Sequence, residues 1–458
     1  MTTAAGTGRA LAAIRPSERQ LAWQAMEFYG FVHFGMNTMT DREWGEGHDD
    51  PALFDPAGLD ADQWMAALKS AGMTGVILTC KHHDGFCLWP SDVTSYSVAS
   101  SPWRDGRGDV VAEVADAARR HGLRFGIYLS PWDRTEASYG SGTAYDDFYV
   151  AQLTELLTRY GPVFSVWLDG ANGEGPHGKR QFYDWERYYA VVRELQPDAV
   201  ISVCGPDVRW CGNEAGQTRP DEWSVVPRAL QDAERTADRS QRADDGTFAR
   251  LVRSDDRDLG SRAALAGHED DLVWYPAEVN TSIRPGWFHH PAEDTQVRSP
   301  DELFTIYLRS VGGNSCFLLN VPPARDGLLR DADVAVLDQL GRRIRDFRAR
   351  GVEATETVSY GTPGGPGPLT TVTLAFPRPQ LVEAVVLGED IAQGQRIEHL
   401  VVRGHRDGRW TPLVEADSVG HQRILTFPPT EADTVRVEVN RSRDTPVLAR
   451  VTAIGAAS

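Results

Sequence analysis

Up to residue 348 the apolar residues follow two patterns in alternation. Short dense runs at 28–34, 75–79, 123–129, 163–168, 199–203, 272–275 and 315–320 predict buried strands. Between them, apolar positions spaced three and four apart predict helices at 61–71, 109–121, 146–160, 182–196, 300–311 and 331–347. In 109–121 the residues Val110, Val111, Val114, Ala117 and Ala118 share one face, Asp109 starts the helix and Gly122 stops it. Strands that alternate with helices in this way predict βαβ units and a parallel sheet, here a (β/α)8-like, TIM-type barrel. With about seven strand candidates the barrel is expected to be irregular. The segment 231–270 is charged, poor in large apolar residues and too long for an ordinary connection. It predicts an inserted loop over the active face.

From residue 349 to 458 the pattern changes. The breaker cluster at 361–368, GTPGGPGP, is followed by short runs at 369–376, 381–387, 397–402, 423–427, 434–439 and 447–454. Val435, Val437 and Val439 alternate with polar residues, as a half-buried strand does, and no helical period intervenes. This part predicts a separate antiparallel all-β sandwich.

Charge narrows the partners. Against 47 Lys and Arg stand 65 Asp and Glu, a formal net charge of −18. Such a surface argues against nucleic acid and anionic membranes, which both select basic patches. All but three of the cations (Lys69, Lys81, Lys179) are Arg, which with the abundant Ala and Gly reads as a GC-rich bacterial genome. No apolar run approaches the ~18 residues of a membrane span, and residues 1–20 lack the apolar core of a secretion signal. The five cysteines are odd in number and scattered, which predicts free thiols and a cytoplasmic, reducing setting. Cys80 and Cys87, like Cys204 and Cys211, have six residues between them, a spacing that fits no common zinc pattern. No metal and no cofactor are expected.

Chemistry concentrates after the predicted strands. The strand at 163–168 ends in Asp169-Gly170. Elsewhere on the same loop face stand His33, Glu43-Trp44, His82-His83, Tyr128, Trp132, Trp167, Arg209-Trp210, Glu214, Glu222-Trp223, Glu278 and Trp287. In a parallel barrel, reactive groups come from the C-terminal ends of the strands. Aromatic faces beside His, Arg and carboxylates suit a sugar, whose C–H faces stack and whose hydroxyls take directional hydrogen bonds. If Asp169 is a nucleophile, the chain is a retaining glycoside hydrolase and needs a second carboxyl group about 5–5.5 Å away.

The order His33-Phe34-Gly35, Glu43-Trp44, Lys81-His82-His83-Asp84-Gly85-Phe86, Trp167-Leu168-Asp169-Gly170 and Leu319-Asn320-Val321-Pro322-Pro323 resembles the family 29 glycoside hydrolases, the α-L-fucosidases. The resemblance covers essentially the whole chain. Its tail, with 386–391 (VLGEDI), Gly394-Gln395 and Arg423-Ile424-Leu425, looks like that family's discoidin-type sandwich, expected here to buttress the barrel rather than bind glycan. The resemblance implies Asp169 as nucleophile and fucose contacts at His33, Glu43, Trp44, His82, His83, Tyr128, Trp167 and Trp287. Residues 209–216 look like the subgroup selective for α-1,3/1,4-linked fucose. There Glu214 matches the acid/base, with Glu278 and Glu222 as rivals. Arg209 and Trp210 join the expected substrate-binding set, and Trp210 and Trp223 are candidate platforms for the leaving group.

The implied mechanism has a physical logic. Two carboxyl groups that close do not both ionise at neutral pH, so Glu214 is expected protonated beside a charged Asp169. It protonates the leaving oxygen while Asp169 attacks the anomeric carbon. Once Asp169 is esterified its charge is gone, and Glu214 becomes the base that activates water. The substrate implied is a fucosylated, Lewis-type oligosaccharide. A broader fucosidase is the alternative, and a catalytically inactive fucose-binding protein a further one, against which the presence of both carboxylates argues.

Overall fold

A computed structural model of the chain describes residues 4–233, 258–362, 365 and 367–457. Among the described residues ten strands precede residue 321: β1 (Phe28–Val32), β2 (Gly75–Lys81), β3 (Arg124–Leu129), β4 (Ser165–Leu168), β5 (Val200–Val203), β6 (Arg209–Trp210), β7 (Val225–Pro227), β8 (Leu272–Trp274), β9 (Ala277–Ser282) and β10 (Cys316–Asn320). Eight of them form one all-parallel sheet in the order β5-β4-β3-β2-β1-β10-β9-β6. A single parallel bridge between Ser202 and Val208 brings β5 against the entry to β6 and nearly closes the barrel. The expected TIM-type barrel is present, and it is irregular.

The predicted strand at 272–275 does not belong to it. β8 pairs antiparallel with β7 outside the barrel. The barrel strand is β9, Ala277-Glu-Val-Asn-Thr-Ser282, every residue of which is buried. Its polar composition hides it from an apolar-run criterion, because inside this barrel its side chains are satisfied by other side chains rather than by apolar contact. β6 is only two residues long, too short to show a period.

The six helices expected from the sequence are present near their predicted bounds, and among the described residues three more, at Ala4–Ala12, Glu18–Gln24 and Met36–Thr40, were not predicted. In chain order the helices are α1 (Ala4–Ala12), α2 (Glu18–Gln24), α3 (Met36–Thr40), α4 (Ala61–Ser70), α5 (Val110–Arg120), α6 (Thr143–Arg159), α7 (Trp185–Leu195), α8 (Pro300–Ser310) and α9 (Asp331–Ala349). In α5 the Asp109 carboxylate accepts from the Ala112 N–H at 2.9 Å, and Arg119 and Arg120 occupy the last turn, so both ends complement the helix dipole. α4 to α8 are crossovers of the barrel, and α9 follows its last strand and packs beside α8 and α4. Among the described residues the links β5–β6 and β6–β9 carry no α-helix of that kind. Instead α2 lies beside these links: Gln20 Nε2 donates to the carbonyls of Asp207 and Trp274 at 2.9 and 3.0 Å. Of the inserted loop expected at 231–270, residues 234–257 lie outside the described residues.

Among the described residues the C-terminal part has six strands, β11 (Thr355–Tyr360), β12 (Thr370–Glu389), β13 (Ile397–Arg406), β14 (Arg409–Ala416), β15 (Arg423–Ser442) and β16 (Leu448–Gly455), all antiparallel. Runs that read as separate strands are halves of two long ones. β12 and β15 each span 20 residues, and their pairing shifts register between Ala375 and Gln380. Before that break β12 pairs with β11, and after it with β16, so one sheet doubles back into two layers around Val372, Leu387, Val402, Val437 and their neighbours. β11 is exposed along its whole length, which removes the alternation that would have revealed it. An apolar seam of Phe347, Ala384, Ile424 and Ile454, backed by Phe304 and Leu308 of α8, joins sandwich to barrel.

Candidate active site

The strand ends bring part of the predicted set to one mouth. Asp169 follows β4 directly. Its Oδ2 accepts from the Tyr128 hydroxyl at 2.8 Å and its Oδ1 from the Ala171 N–H at 2.8 Å. These two bonds fix the carboxylate plane while leaving the side chain about one-fifth exposed. His83 Nε2 stands 3.9 Å from Asp169 Oδ2. Tyr128 is fully buried and stacks on Trp167, with ring centroids 5.4 Å apart.

Three histidines cluster on the Tyr128 side of this carboxylate, His33 and His82 with ring centroids 6.0 and 5.7 Å from that of Tyr128 and His82 4.0 Å from His83, and their partners determine their tautomers. Burial lowers His33 to about 3 and His83 to about 4, and drives His82 well down, so all three are neutral near pH 7. His33 Nδ1–H donates to Asn320 Oδ1 at 2.8 Å. The Asn320 amide cannot be reversed, because its Nδ2 donates to Trp287 O and Ser282 Oγ. His83 Nδ1–H donates to Ser130 Oγ at 2.7 Å, since that hydroxyl gives its own proton to Trp132 O. At His82 the polarity inverts. Asn37 Nδ2 donates to the Glu43 carbonyl and to His82 Nδ1, which leaves the proton on His82 Nε2. His33 and His83 therefore offer lone pairs through Nε2, and His82 offers a donor. That is a mixed set for reading several hydroxyl groups.

The opposite wall is built on the segment after β9. Trp287 ties three parts together: its N–H donates to Glu43 Oε1, its carbonyl accepts from Asn320, and its indole Nε1–H donates to Glu214 Oε2 at 3.2 Å. Its ring lies 5.1 Å from that of His33. Glu214 thus shares a contact residue with the His33 side of the mouth. Glu43 also accepts from Phe288 N–H and from His290 Nε2 at 2.9 Å. A Cβ on Gly286 would come within 2.8 Å of the Glu43 carboxylate and 3.0 Å of the His290 ring, so a larger residue there would push these two side chains from their places. His290 is pushed up to about 9 by its bonds to Glu43 and Asp41, against a burial effect of opposite sign. Trp44 sets its edge against His83 and Trp132, at 5.8 and 5.6 Å.

The two rivals of Glu214 have other duties. Glu278 is fully buried near the N-terminal ends of β1 and β9, where Tyr29 O–H and Trp167 Nε1–H occupy its two oxygens. Burial raises it to about 7, although both hydrogen bonds pull the other way. Glu222 is buried between Arg209 Nη2, at 2.6 Å, and Arg219 Nη1, at 3.1 Å. Burial alone would raise its carboxyl, but the two guanidinium charges win and it stays below the usual range. A carboxylate held ionised in this way is no proton donor.

Arg209 and Trp210 are corrected by the same geometry. Arg209, expected at the substrate, directs its guanidinium to Glu222 and to the carbonyls of Tyr275 and Trp223. Trp210 is packed in the barrel core and donates to Asn280 Oδ1 on β9 at 3.0 Å. Trp223 is buried under the Arg443 guanidinium, 4.3 Å from its ring centroid, and is no open platform. Arg209 and Trp210 both lie on the two-residue strand β6, and barrel partners, Glu222 for Arg209 and Asn280 for Trp210, take their polar groups. Asn37, Ser130, His290 and the orienting role of Asn320 were not anticipated. Asn320 at the end of a barrel strand carried a readable signal; Asn37 lies in α3 and Ser130 and His290 in loops, and the partners that matter at the mouth, His82, His83 and Glu43, lie 45, 47 and 247 residues away from them. Among the described residues no three His, Cys, Asp or Glu side chains converge as a metal-holding group, and all five cysteines are buried and free.

A family model described as Alpha-L-fucosidase matches residues 33–346. The chain is 39% identical to Alpha-L-fucosidase 1 of Arabidopsis thaliana over 94% of its length and 86% of that protein. It belongs to the α-L-fucosidase family of glycoside hydrolases. The fold agrees: the crystal structure of a glycoside hydrolase 29 family member from an unknown rumen bacterium superposes with a TM-score of 0.82 at 36% identity, covering 97% of this chain and 78% of that one. A Ruminococcus gnavus GH29 fucosidase in complex with fucose gives a TM-score of 0.80 at 27% identity, covering 97% and 96%. α-L-Fucosidase activity, and with it a fucosylated glycan as substrate, follows from that membership.

Proposed function

We propose that this enzyme releases terminal α-L-fucose with retention, through Asp169 as nucleophile and Glu214 as acid/base, and that it prefers α-1,3/1,4-linked, Lewis-type oligosaccharides. The observation that carries the assignment of roles is the Trp287 indole bond to Glu214, on a residue that also ties Glu43 and Asn320 beside His33. The commitments of Glu278 and Glu222 elsewhere support it by elimination. Fucose enters between Trp167, Tyr128 and Trp287, and the three neutral histidines take its hydroxyls. Asp169 attacks C1 as Glu214 gives its proton to the glycosidic oxygen; the C1–O bond to the leaving group breaks and an ester to Asp169 forms. Glu214, now a carboxylate, takes a proton from water, which attacks C1 and restores Asp169. The linkage preference rests on the likeness of 209–216 to the selective subgroup.

The test is hydrolysis of the Lewis a trisaccharide beside 2′-fucosyllactose and an aryl α-L-fucoside, with product anomers followed by NMR. Cleavage confined to the Lewis sugar, initial release of the α-anomer, and loss in Asp169→Ala and Glu214→Ala are expected. Comparable turnover of all three sugars would assign the enzyme to the broad-specificity fucosidases.

A further inference from the structure

Glu214 lies on a loop that the barrel alone does not hold. The loop leaves β6 at Trp210 and returns at Arg219. Within it Asn213 Oδ1 accepts from the N–H groups of Ala215 and Gln217, each at 3.1 Å, and so pins the residues around Glu214. Glu222 joins the two ends: one carboxylate oxygen takes Arg209 and the other Arg219, which also reaches Cys211 O at 3.2 Å. The loop is therefore a closed ring, locked by one buried carboxylate.

The lock is itself held from the other domain. Gln395 of the sandwich accepts from Ser224 N–H at 2.8 Å and donates to Glu222 O at 3.3 Å. Ser418 Oγ reaches the same carbonyl at 3.5 Å. Asp221 accepts from the Asp417 N–H and from Arg423, each at 3.1 Å. From the barrel, Asn314 Nδ2 donates to Glu222 O at 3.0 Å, while Asn314 is bonded by His421 N–H of the sandwich. Three polar groups of residues 221–224, the Asp221 carboxylate, the Glu222 carbonyl and the Ser224 N–H, thus have sandwich partners, and of these partners Gln395, Ser418 and Arg423 are buried.

We propose that the C-terminal sandwich positions the general acid: through Gln395, Ser418, Asp417 and Arg423 it fixes residues 221–224, and Glu222 passes that constraint to the Arg209–Arg219 ring that carries Glu214. Glu222 and Gln395 are positioning residues; neither touches substrate. The inference rests on Glu214 being the acid, and it gives the sandwich a part in one half of the chemistry. Asp169, held by β4 and Tyr128, is outside its reach.

Leaving-group dependence tests this in the full-length enzyme. α-L-Fucosyl fluoride departs with little need of a proton, whereas a fucosylated trisaccharide needs one. Gln395→Ala should lower kcat/KM on the trisaccharide about tenfold, a part of the ~10²–10⁴-fold that general acid catalysis supplies, and leave the fluoride rate within about twofold. Glu222→Gln should do the same more strongly, and the high-pH limb of its trisaccharide profile should move. Equal losses on both substrates, or none on either, would overturn the proposal. If Glu222→Gln does not fold, Gln395→Ala decides alone, since it removes only contacts to backbone. Glu214→Ala is the control: without leaving-group selectivity there, the acid assignment itself fails, whereas selectivity in Glu214→Ala but not in Gln395→Ala defeats only the positioning role.

Discussion

The two proposed catalytic carboxylates are held in opposite ways. Asp169 is the first residue beyond a barrel strand, and its partners, Tyr128 and Ala171, lie on the neighbouring strand and two residues along the chain. Glu214 is four residues beyond a strand of two residues, on a loop closed by an ion triad and anchored by another domain. The contrast has a mechanistic sense. A nucleophile must meet one fixed carbon, so rigidity from the barrel suffices. A proton donor must match the leaving group, and a loop can vary with the leaving group while the barrel stays unchanged.

The sharpest break of this comparison is Asp169→Ala. It should cost at least about 10⁴-fold in kcat, the scale of removing a nucleophile, on every fucoside, whereas the cost of Glu214→Ala should depend on the leaving group; steady-state rates on fluoride and trisaccharide check both. The next effect concerns stability. Glu278 is raised from an ordinary 4.5 to about 7 by burial, so the folded state binds its proton more tightly than the unfolded state. Stability is highest below pH 4.5 for this group and is lost as pH rises through about 7, by about 3 kcal/mol at 1.36 kcal/mol per unit. Urea unfolding of Glu278→Gln at pH 5 and pH 8 should show that decline removed.

Tyr128→Phe removes one charge-assisted bond to Asp169 and should lower kcat about tenfold, on the fluoride as well as on the trisaccharide. A leaving-group-dependent loss in Tyr128→Phe would erase the distinction between the two carboxylates. The smallest effect is at His290, whose value is raised from 6.5 to about 9 by its bonds to Glu43 and Asp41. Its contribution is complete below pH 6.5 and lost as pH rises through about 9. KM should rise about two- to fivefold over that limb, the weight of a part-exposed ion pair, and His290→Gln should show the higher KM throughout.

Which residues were legible in the sequence follows from the same division. His33, His82, His83, Tyr128 and Asp169 stand at the ends of apolar runs, and those runs marked them. β9 was misplaced to 272–275 because Glu278, Asn280, Thr281 and Ser282 read as a loop, although the barrel interior buries and satisfies each one. Arg209 and Trp210 drew attention as polar and aromatic residues beside Glu214. Only their partners Glu222 and Asn280 reveal them as parts of the wall.

The sequence by itself determined the alternation of strands and helices, the change to an all-β tail and the order of motifs that marks the family, because periodicity and short motifs are local properties of the chain. The tertiary structure alone decided the tautomers of the three histidines, the separate duties of Glu278 and Glu222, and the bond between Trp287 and Glu214. Each of these depends on a partner far away along the chain. Asn320 lies 287 residues from His33, Glu278 lies 111 from Trp167, and Gln395 lies 171 from Ser224. Folding brings such pairs to hydrogen-bond distance in surroundings from which water is largely excluded, and it is that proximity which sets protonation and orientation.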